Sequence, residues 1–261
     1  MKNTNPAIDI TNLTVSYNTF NAVNSISLQV YKSQLAVIVG PNGCGKSSLL
    51  KCIARLIAPT QGTIHVTGSN IWDLKPKDAA RLIAMLPQSP TAPEGMTVSN
   101  LVEFGRHPYQ SLFRQWSDAD EEAVQAAMKN TGVADLADRP LDKLSGGQRQ
   151  RAWLAMTLAQ QSPVILLDEP TSALDLGHQI EALQLAKSLA ENGRTVIIVL
   201  HDLMAAVRFA DVLIAMKDGK LIAVGPPHEI VSTDLVKQLY GIDADIIPAP
   251  QDQTPVIIPK I

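Results

Sequence analysis

The stretch Gly40-Pro41-Asn42-Gly43-Cys44-Gly45-Lys46-Ser47 leaves little freedom in the choice of fold, because it matches the phosphate-loop pattern G-x-x-x-x-G-K-[ST] without interruption. Ahead of it stands Leu35-Ala36-Val37-Ile38-Val39, a short apolar run of the buried-strand type, and behind it residues 48–56 read as a helix. A strand that turns through glycines into a helix is a phosphate cradle. The glycines let successive N–H groups point inward, and the helix adds unsatisfied donors and the positive end of its dipole. In such a cradle Lys46 reaches the β- and γ-phosphates of a nucleotide, while the Ser47 hydroxyl completes the shell of a magnesium ion.

The remainder of the chain is consistent with an α/β protein built round that loop. Its 261 residues suffice for one large domain or a domain with a subdomain, and a hydrophobic share of 46% with 18% charged residues is that of a globular protein. A formal charge of −3 offers no general attraction for nucleic acid or anionic lipid, so any membrane contact is expected to come through a partner. No apolar run approaches the roughly 20 residues of a spanning helix, and Met1-Lys2-Asn3-Thr4-Asn5 has no hydrophobic signal core; a cytoplasmic protein is expected. Cys44 and Cys52 suggest neither a disulfide framework nor a metal site. Both read as small packing residues, although a helix N-terminus could lower the pKa of the Cys44 thiol and open it to modification.

Alternation of apolar and polar residues over 8–30 predicts half-buried antiparallel strands, one of them ending at Tyr17. That ring either stacks on an adenine or merely closes a sheet edge. Residues 63–66 and 82–86 read as strands, the second leading into Pro87-Gln88. Ligands of open α/β sheets lie beyond the carboxyl ends of the strands, which makes Gln88 a candidate for touching magnesium or an attacking water. From 89 to 161 helical patterns take over: Asp118 with Glu121 makes a capping-box-like start, and Gly132 supplies a stop. The segment 105–116 mixes aromatic and basic residues and reads as a protein-docking surface or local packing ahead of a nucleic-acid contact.

Leu144-Ser145-Gly146-Gly147-Gln148 opens another helix, with Ser145 as N-cap; it is either a second anion site or an ordinary capped helix. Val164-Ile165-Leu166-Leu167 then predicts a buried strand that delivers Asp168 to the sheet's carboxyl edge, where a carboxylate holds magnesium through its water shell. Glu169, one residue nearer solvent, is placed to polarise a water for in-line attack on the γ-phosphate, and Ser172-Ala173-Leu174-Asp175 follow as a loop. Residues 195–200 form a further buried strand ending in His201-Asp202, which makes His201 a candidate γ-phosphate contact. Asp218-Gly219 signals a hairpin, a helix over 233–240 stops at Gly241, and the proline-bearing tail after Asp243 reads as an extended surface segment.

Taken in order, the phosphate loop, Gln88, Leu144 to Gln148, Asp168-Glu169, Ser172 to Asp175 and His201 resemble the nucleotide-binding subunit of ATP-binding cassette (ABC) transporters over nearly the whole chain. The resemblance implies a P-loop NTPase (RecA-like) mixed-sheet core with an N-terminal antiparallel β-subdomain and an inserted α-helical subdomain. It implies a single ABC ATPase domain over 1–261, with the core at 1–88 and 162–242, the helical signature subdomain at 89–161 and a tail at 243–261. By the same resemblance Tyr17 stacks on adenine, residues Gly40 to Ser48 hold the phosphates of ATP, and Ser47, Gln88 and Asp168 attend Mg2+. Glu169 is then the general base, His201 the switch histidine, Gln88 the sensor of the membrane partner and Asp175 part of an interface loop. The family further implies a head-to-tail homodimer in which Ser145, Gly146, Gly147 and Gln148 of one copy close over the γ-phosphate held by Lys46 of the other.

A finer likeness joins residues 105–120 to the helical subdomain of bacterial importers for ferric siderophores, haem and cobalamin, and residues 144–156 to the ferric-siderophore branch. This implies a peripheral ATPase at the cytoplasmic face of the membrane. It would energise uptake of an iron(III)-siderophore-type chelate through integral permease subunits and, indirectly, a periplasmic or surface substrate-binding protein. Haem, cobalamin or another metal cargo is the alternative, and a soluble non-transport ABC ATPase the more distant one. Chromosome-acting members carry a long coiled coil and ribosome-acting members two cassettes, neither of which is present, and no N-K-x-D stretch suggests a GTPase. The chain departs from the family at Ser33-Gln34, where Gly-Glu is common, and at Ser48, where threonine is frequent.

Overall fold

Alternating runs at the start of the chain can satisfy their backbone only by pairing, and they do so over a long antiparallel ladder. The computed structural model describes residues 5–110, 116–172 and 174–260; Ser111, Leu112, Phe113, Arg114 and Gln115 of the aromatic and basic segment, and Ala173 of the 172–175 loop, lie outside the described residues. The chain divides into two packed units, Met1–Asp73 with Ala186–Ile261, and Leu74–Leu185.

In the first unit β1 (Pro6–Tyr17) and β2 (Phe20–Tyr31) pair antiparallel, with Ile8, Ile10, Leu13 and Val15 buried opposite Val23, Ile26, Leu28 and Val30. The all-apolar β3 (Leu35–Val39) is buried along its whole length. Helix α1 (Lys46–Ile53) starts ahead of the Ser48 expected from its pattern, since Gly45 at φ 101 already serves as N-cap, and it stops before Arg55, which takes φ 61. Strands β4 (Gln61–Val66) and β5 (Ser69–Asn70) complete a sheet of order β2-β1-β4-β5, the expected antiparallel subdomain.

The second unit begins with α2 (Pro76–Leu82), whose proline occupies the first turn, where its missing N–H costs no bond. Strand β6 (Ile83–Leu86) follows, then α3 (Val98–Phe104) and α4 (Asp118–Asn130). The capping box of α4 is made by Ser117 and Asp120, not by Asp118 and Glu121, because the residue before the first helical one supplies the cap. Arg106 is buried and bonds the Asp120 carboxylate at 2.8 Å, the Ala159 carbonyl at 2.7 Å and Gln161 Oε1 at 3.0 Å, with its guanidinium 4.1 Å from the Tyr109 ring. Local packing therefore accounts for Arg106 and the Tyr109 ring among the described residues of the 105–116 segment. Helix α5 (Gly146–Ala159) leads to β7 (Val164–Asp168), which runs parallel to β6 in a register from Ile83↔Val164 to Leu86↔Leu167, and α6 (Leu176–Glu191) follows.

The chain re-enters the first unit with β8 (Thr195–Val199), α7 (Leu203–Phe209), β9 (Val212–Lys217) and β10 (Lys220–Gly225). Here β3 lies parallel to both β8 and β9, and β10 antiparallel to β9, so the sheet is mixed. After α8 (Pro227–Ile230) and α9 (Thr233–Tyr240), the tail is not a lone extended segment: β11 (Ala244–Pro248) and β12 (Pro255–Pro259) close a hairpin. It rests on α7, where Ile257 N–H donates to Met204 Sδ and Arg208 pairs with Asp252. Among the described residues no helix is long and apolar enough to cross a membrane.

Candidate functional site

Two contacts explain why the loop after β3 needs glycine. Gly40 has φ 148 and a Cβ there would lie 2.0 Å from the Met216 carbonyl oxygen; Gly45 has φ 101 and its Cβ would lie 2.0 Å from that of Ala22. The hairpin turn at Asp218-Gly219 braces the loop, with Gly219 N–H donating to Cys44 O at 3.1 Å and Asn24 N–H donating to Gly219 O at 2.8 Å. The loop curls round the buried Lys46 ammonium, which donates to Gly40 O at 2.8 Å and Pro41 O at 2.9 Å. No acidic residue stands in the first turn of α1, which leaves its positive end open to an anion beside Ser47. A cradle of this backbone, with a lysine inside it, fits a polyphosphate.

The expectation of a lowered Cys44 pKa does not hold. Burial pushes this thiol up, and the nearby Lys46 ammonium offsets only part of the effect; Cys52 is pushed up by burial to about 12. Both remain packing residues. Tyr17 is 45% exposed and its hydroxyl lies 3.4 Å from Ser48 Oγ, which sets its ring beside the start of α1. The pairing of Ile38 with Val199 and the bond from Leu200 N–H to Ile38 O bring His201 to the same sheet edge as Gly40, where it is exposed. Asp202 caps α7, accepting from Met204 N–H at 2.8 Å.

In the second unit the parallel register sets Gln88 level with Glu169, and the Gln88 amide donates to Glu169 Oε2 at 2.6 Å. Asp168 is buried at the end of β7, and Glu169 beyond it is 7% exposed. Its backbone sits in the left-handed region at φ 52, and its carbonyl accepts from Ser172 N–H and Oγ–H. At the start of α5, Ser145 and Gln148 form a full capping box, Gln148 N–H donating to Ser145 Oγ at 3.2 Å and Ser145 N–H to Gln148 Oε1 at 3.0 Å. Ser145 and Gly146 are exposed and the first turn carries no acid.

One partner escaped the sequence reading. His178 donates its backbone N–H to Asp175 Oδ1 at 3.0 Å and sets its ring Nδ1 2.8 Å from the same oxygen; these bonds hold the Asp175 carboxyl below its usual range. The signal was available as an acid three residues before a histidine at a helix start. Among the described residues no group of three or more His, Cys, Asp or Glu is arranged to hold a metal ion.

The pattern described as ABC transporter matches residues 23–172. The chain is 47% identical over 254 residues to the achromobactin transport ATP-binding protein CbrD of Dickeya dadantii (strain 3937), covering 97% of this chain and 94% of that protein. It is 45% identical over 248 residues to the ferric enterobactin transport ATP-binding protein FepC of Escherichia coli (strain K12), covering 95% and 92%. Among solved structures it is similar to the dimeric form of MJ0796, a bacterial ABC transporter cassette, at 30% identity and a TM-score of 0.76, covering 84% of this chain and 98% of that one.

Proposed function

The chain belongs to the ABC transporter family as an ATP-hydrolysing subunit, and on that premise we propose that it powers uptake of an iron(III)-siderophore-type chelate through partner permease subunits. The observation that carries the cargo class is likeness across 97% of the chain to a protein of achromobactin transport, joined by likeness to one of ferric enterobactin transport. Work at the cytoplasmic face of the membrane, in company with permeases and a substrate-binding protein, belongs to this reading.

In this reading the residues divide the labour. The loop from Gly40 to Ser48 binds the phosphates of ATP, with Lys46 moving its ammonium from the loop carbonyls to the β- and γ-phosphate oxygens. Tyr17 stacks on the base. Ser47 and Asp168 are the residues that would hold Mg2+, which when bound supplies charge neutralisation at the γ-phosphate. Glu169 accepts the proton of the attacking water at its carboxylate, and Gln88, bonded to it, orients that carboxylate. His201 donates to the γ-phosphate from the edge of β8, and Ser145 with the N–H groups of Gly146 and Gly147 caps the γ-phosphate of a second copy.

Loss of this subunit from its host should abolish accumulation of radio-iron offered as a siderophore chelate, and the wild-type chain should restore it where Lys46→Ala does not. Undiminished chelate uptake, with loss confined to haem or cobalamin, would replace the cargo while leaving the motor.

A further inference from the structure

The tip of the β1–β2 hairpin carries two large exposed rings. Tyr17 and Phe20 face each other directly across the Asn18-Thr19 turn, Phe20 61% exposed and Tyr17 45%. Residues directly opposite on an antiparallel pair project to the same side with Cβ atoms about 5 Å apart. That side is identified by Tyr17, whose hydroxyl reaches Ser48 Oγ, one residue after Ser47. A second contact anchors the other strand: the Ala22 carbonyl, two residues after Phe20, lies 2.0 Å from where a Cβ on Gly45 would stand. Both strands of the tip are thus tied to the phosphate loop, one on each side of the turn, and Phe20 presents its ring to solvent on the face that carries Tyr17.

We infer that Phe20 is a second base-contacting residue, forming with Tyr17 an aromatic bracket for the purine of the bound nucleotide and setting the preference for a two-ring base. The inference rests on the reading of the loop as the ATP site and adds a residue which that reading does not use. Elsewhere β2 turns its apolar side chains inward, as Ala22, Val23, Ile26, Leu28 and Val30 show. A phenylalanine left in water beside the loop has an occupant of matching chemistry in a flat, weakly hydrated base, since stacking on aromatic side chains favours larger π-surfaces.

The test compares wild type, Phe20→Ala, Phe20→Tyr and Lys46→Ala by calorimetric titration with ATP, CTP and inorganic tripolyphosphate. Phe20→Ala should raise the Kd for ATP about fivefold or more, narrow the ATP over CTP preference, and leave tripolyphosphate binding unchanged; Phe20→Tyr should restore ATP binding. Unchanged ATP affinity in Phe20→Ala overturns the bracket, as does an equal loss for tripolyphosphate, which would mark Phe20 as support for the hairpin. The loop reading is judged separately by Lys46→Ala, in which tripolyphosphate binding should disappear; its persistence there would remove the site and the bracket together.

Discussion

Glu169 follows a strand of four aliphatics and an aspartate, yet its backbone adopts φ 52, a conformation that costs a non-glycine residue about 1–3 kcal/mol unless its surroundings enforce it. Two bonds from Ser172 to the Glu169 carbonyl and one from Gln88 to its carboxylate do the enforcing. The result is a carboxylate at the edge of β7 with a fixed orientation. If Glu169 is the base proposed above, a glutamine at this position keeps the shape and loses that function, so Glu169→Gln should bind ATP with the wild-type Kd while kcat falls about 100-fold or more. Phosphate release and equilibrium binding read the two separately, and turnover within twofold of wild type would take the role of base away from Glu169. Gln34, where the family commonly has glutamate, acts locally. Its Oε1 accepts from Tyr31 N–H at 3.0 Å and closes a turn in which Ser33 takes φ 62.

Helix α4 and the segment after α3 are held by one buried ion pair. The Arg106 and Asp120 side chains are 5% and 2% exposed, and the guanidinium also meets the Ala159 carbonyl, the Gln161 amide oxygen and the Tyr109 ring. Removing one partner strands the other charge, so Arg106→Ala should lower unfolding free energy by about 3–5 kcal/mol, measured by denaturant titration. Burial acts to raise the Asp120 carboxyl, but bonds from Ser117 and Arg106 outweigh it and hold the group below its ordinary value. The sign follows: a group with a lowered folded pKa stabilises above the unfolded value, about 3.9 for Asp, and that stabilisation disappears as pH falls through the lower folded value. Acid unfolding of the wild type should therefore begin below about pH 4, and the variant, which keeps the Ser117 bonds to Asp120 but loses those of Arg106, should show a smaller component.

Helix α1 starts behind its Gly45 cap with Lys46 inside the loop, and α5 starts at Gly146-Gly147 behind the Ser145 cap. On the proposed reading, the exposed, acid-free start of α5 at Ser145 receives a phosphate that another copy brings, in a symmetric pair enclosing two nucleotides. With ATP and Mg2+, Glu169→Gln should run as a dimer in size-exclusion chromatography with light scattering, and adding Ser145→Ala should return it to monomer. A trapped ATP form that stays monomeric would sink the arrangement. Ser145→Ala alone should cost about 1 kcal/mol of stability through its lost cap, a shift too small to mimic failure of assembly.

The phosphate loop, the buried strands β3, β7 and β8, the Asp218-Gly219 hairpin and the stop of α9 at Gly241 were legible in the chain because each is written in neighbouring residues: an apolar run, a glycine at positive φ, a turn pair. Such signals act over a few residues and need no partner. The 2.6 Å bond from Gln88 to Glu169, the burial of Arg106 against Asp120, the hairpin that the tail forms over α7 and the upward push on Cys44 were not legible. Each depends on which strand lies beside which and in what register. That is set by tertiary burial and pairing, since a carboxylate, a guanidinium or a thiol takes its character from groups that the folded chain, not the neighbouring sequence, sets around it.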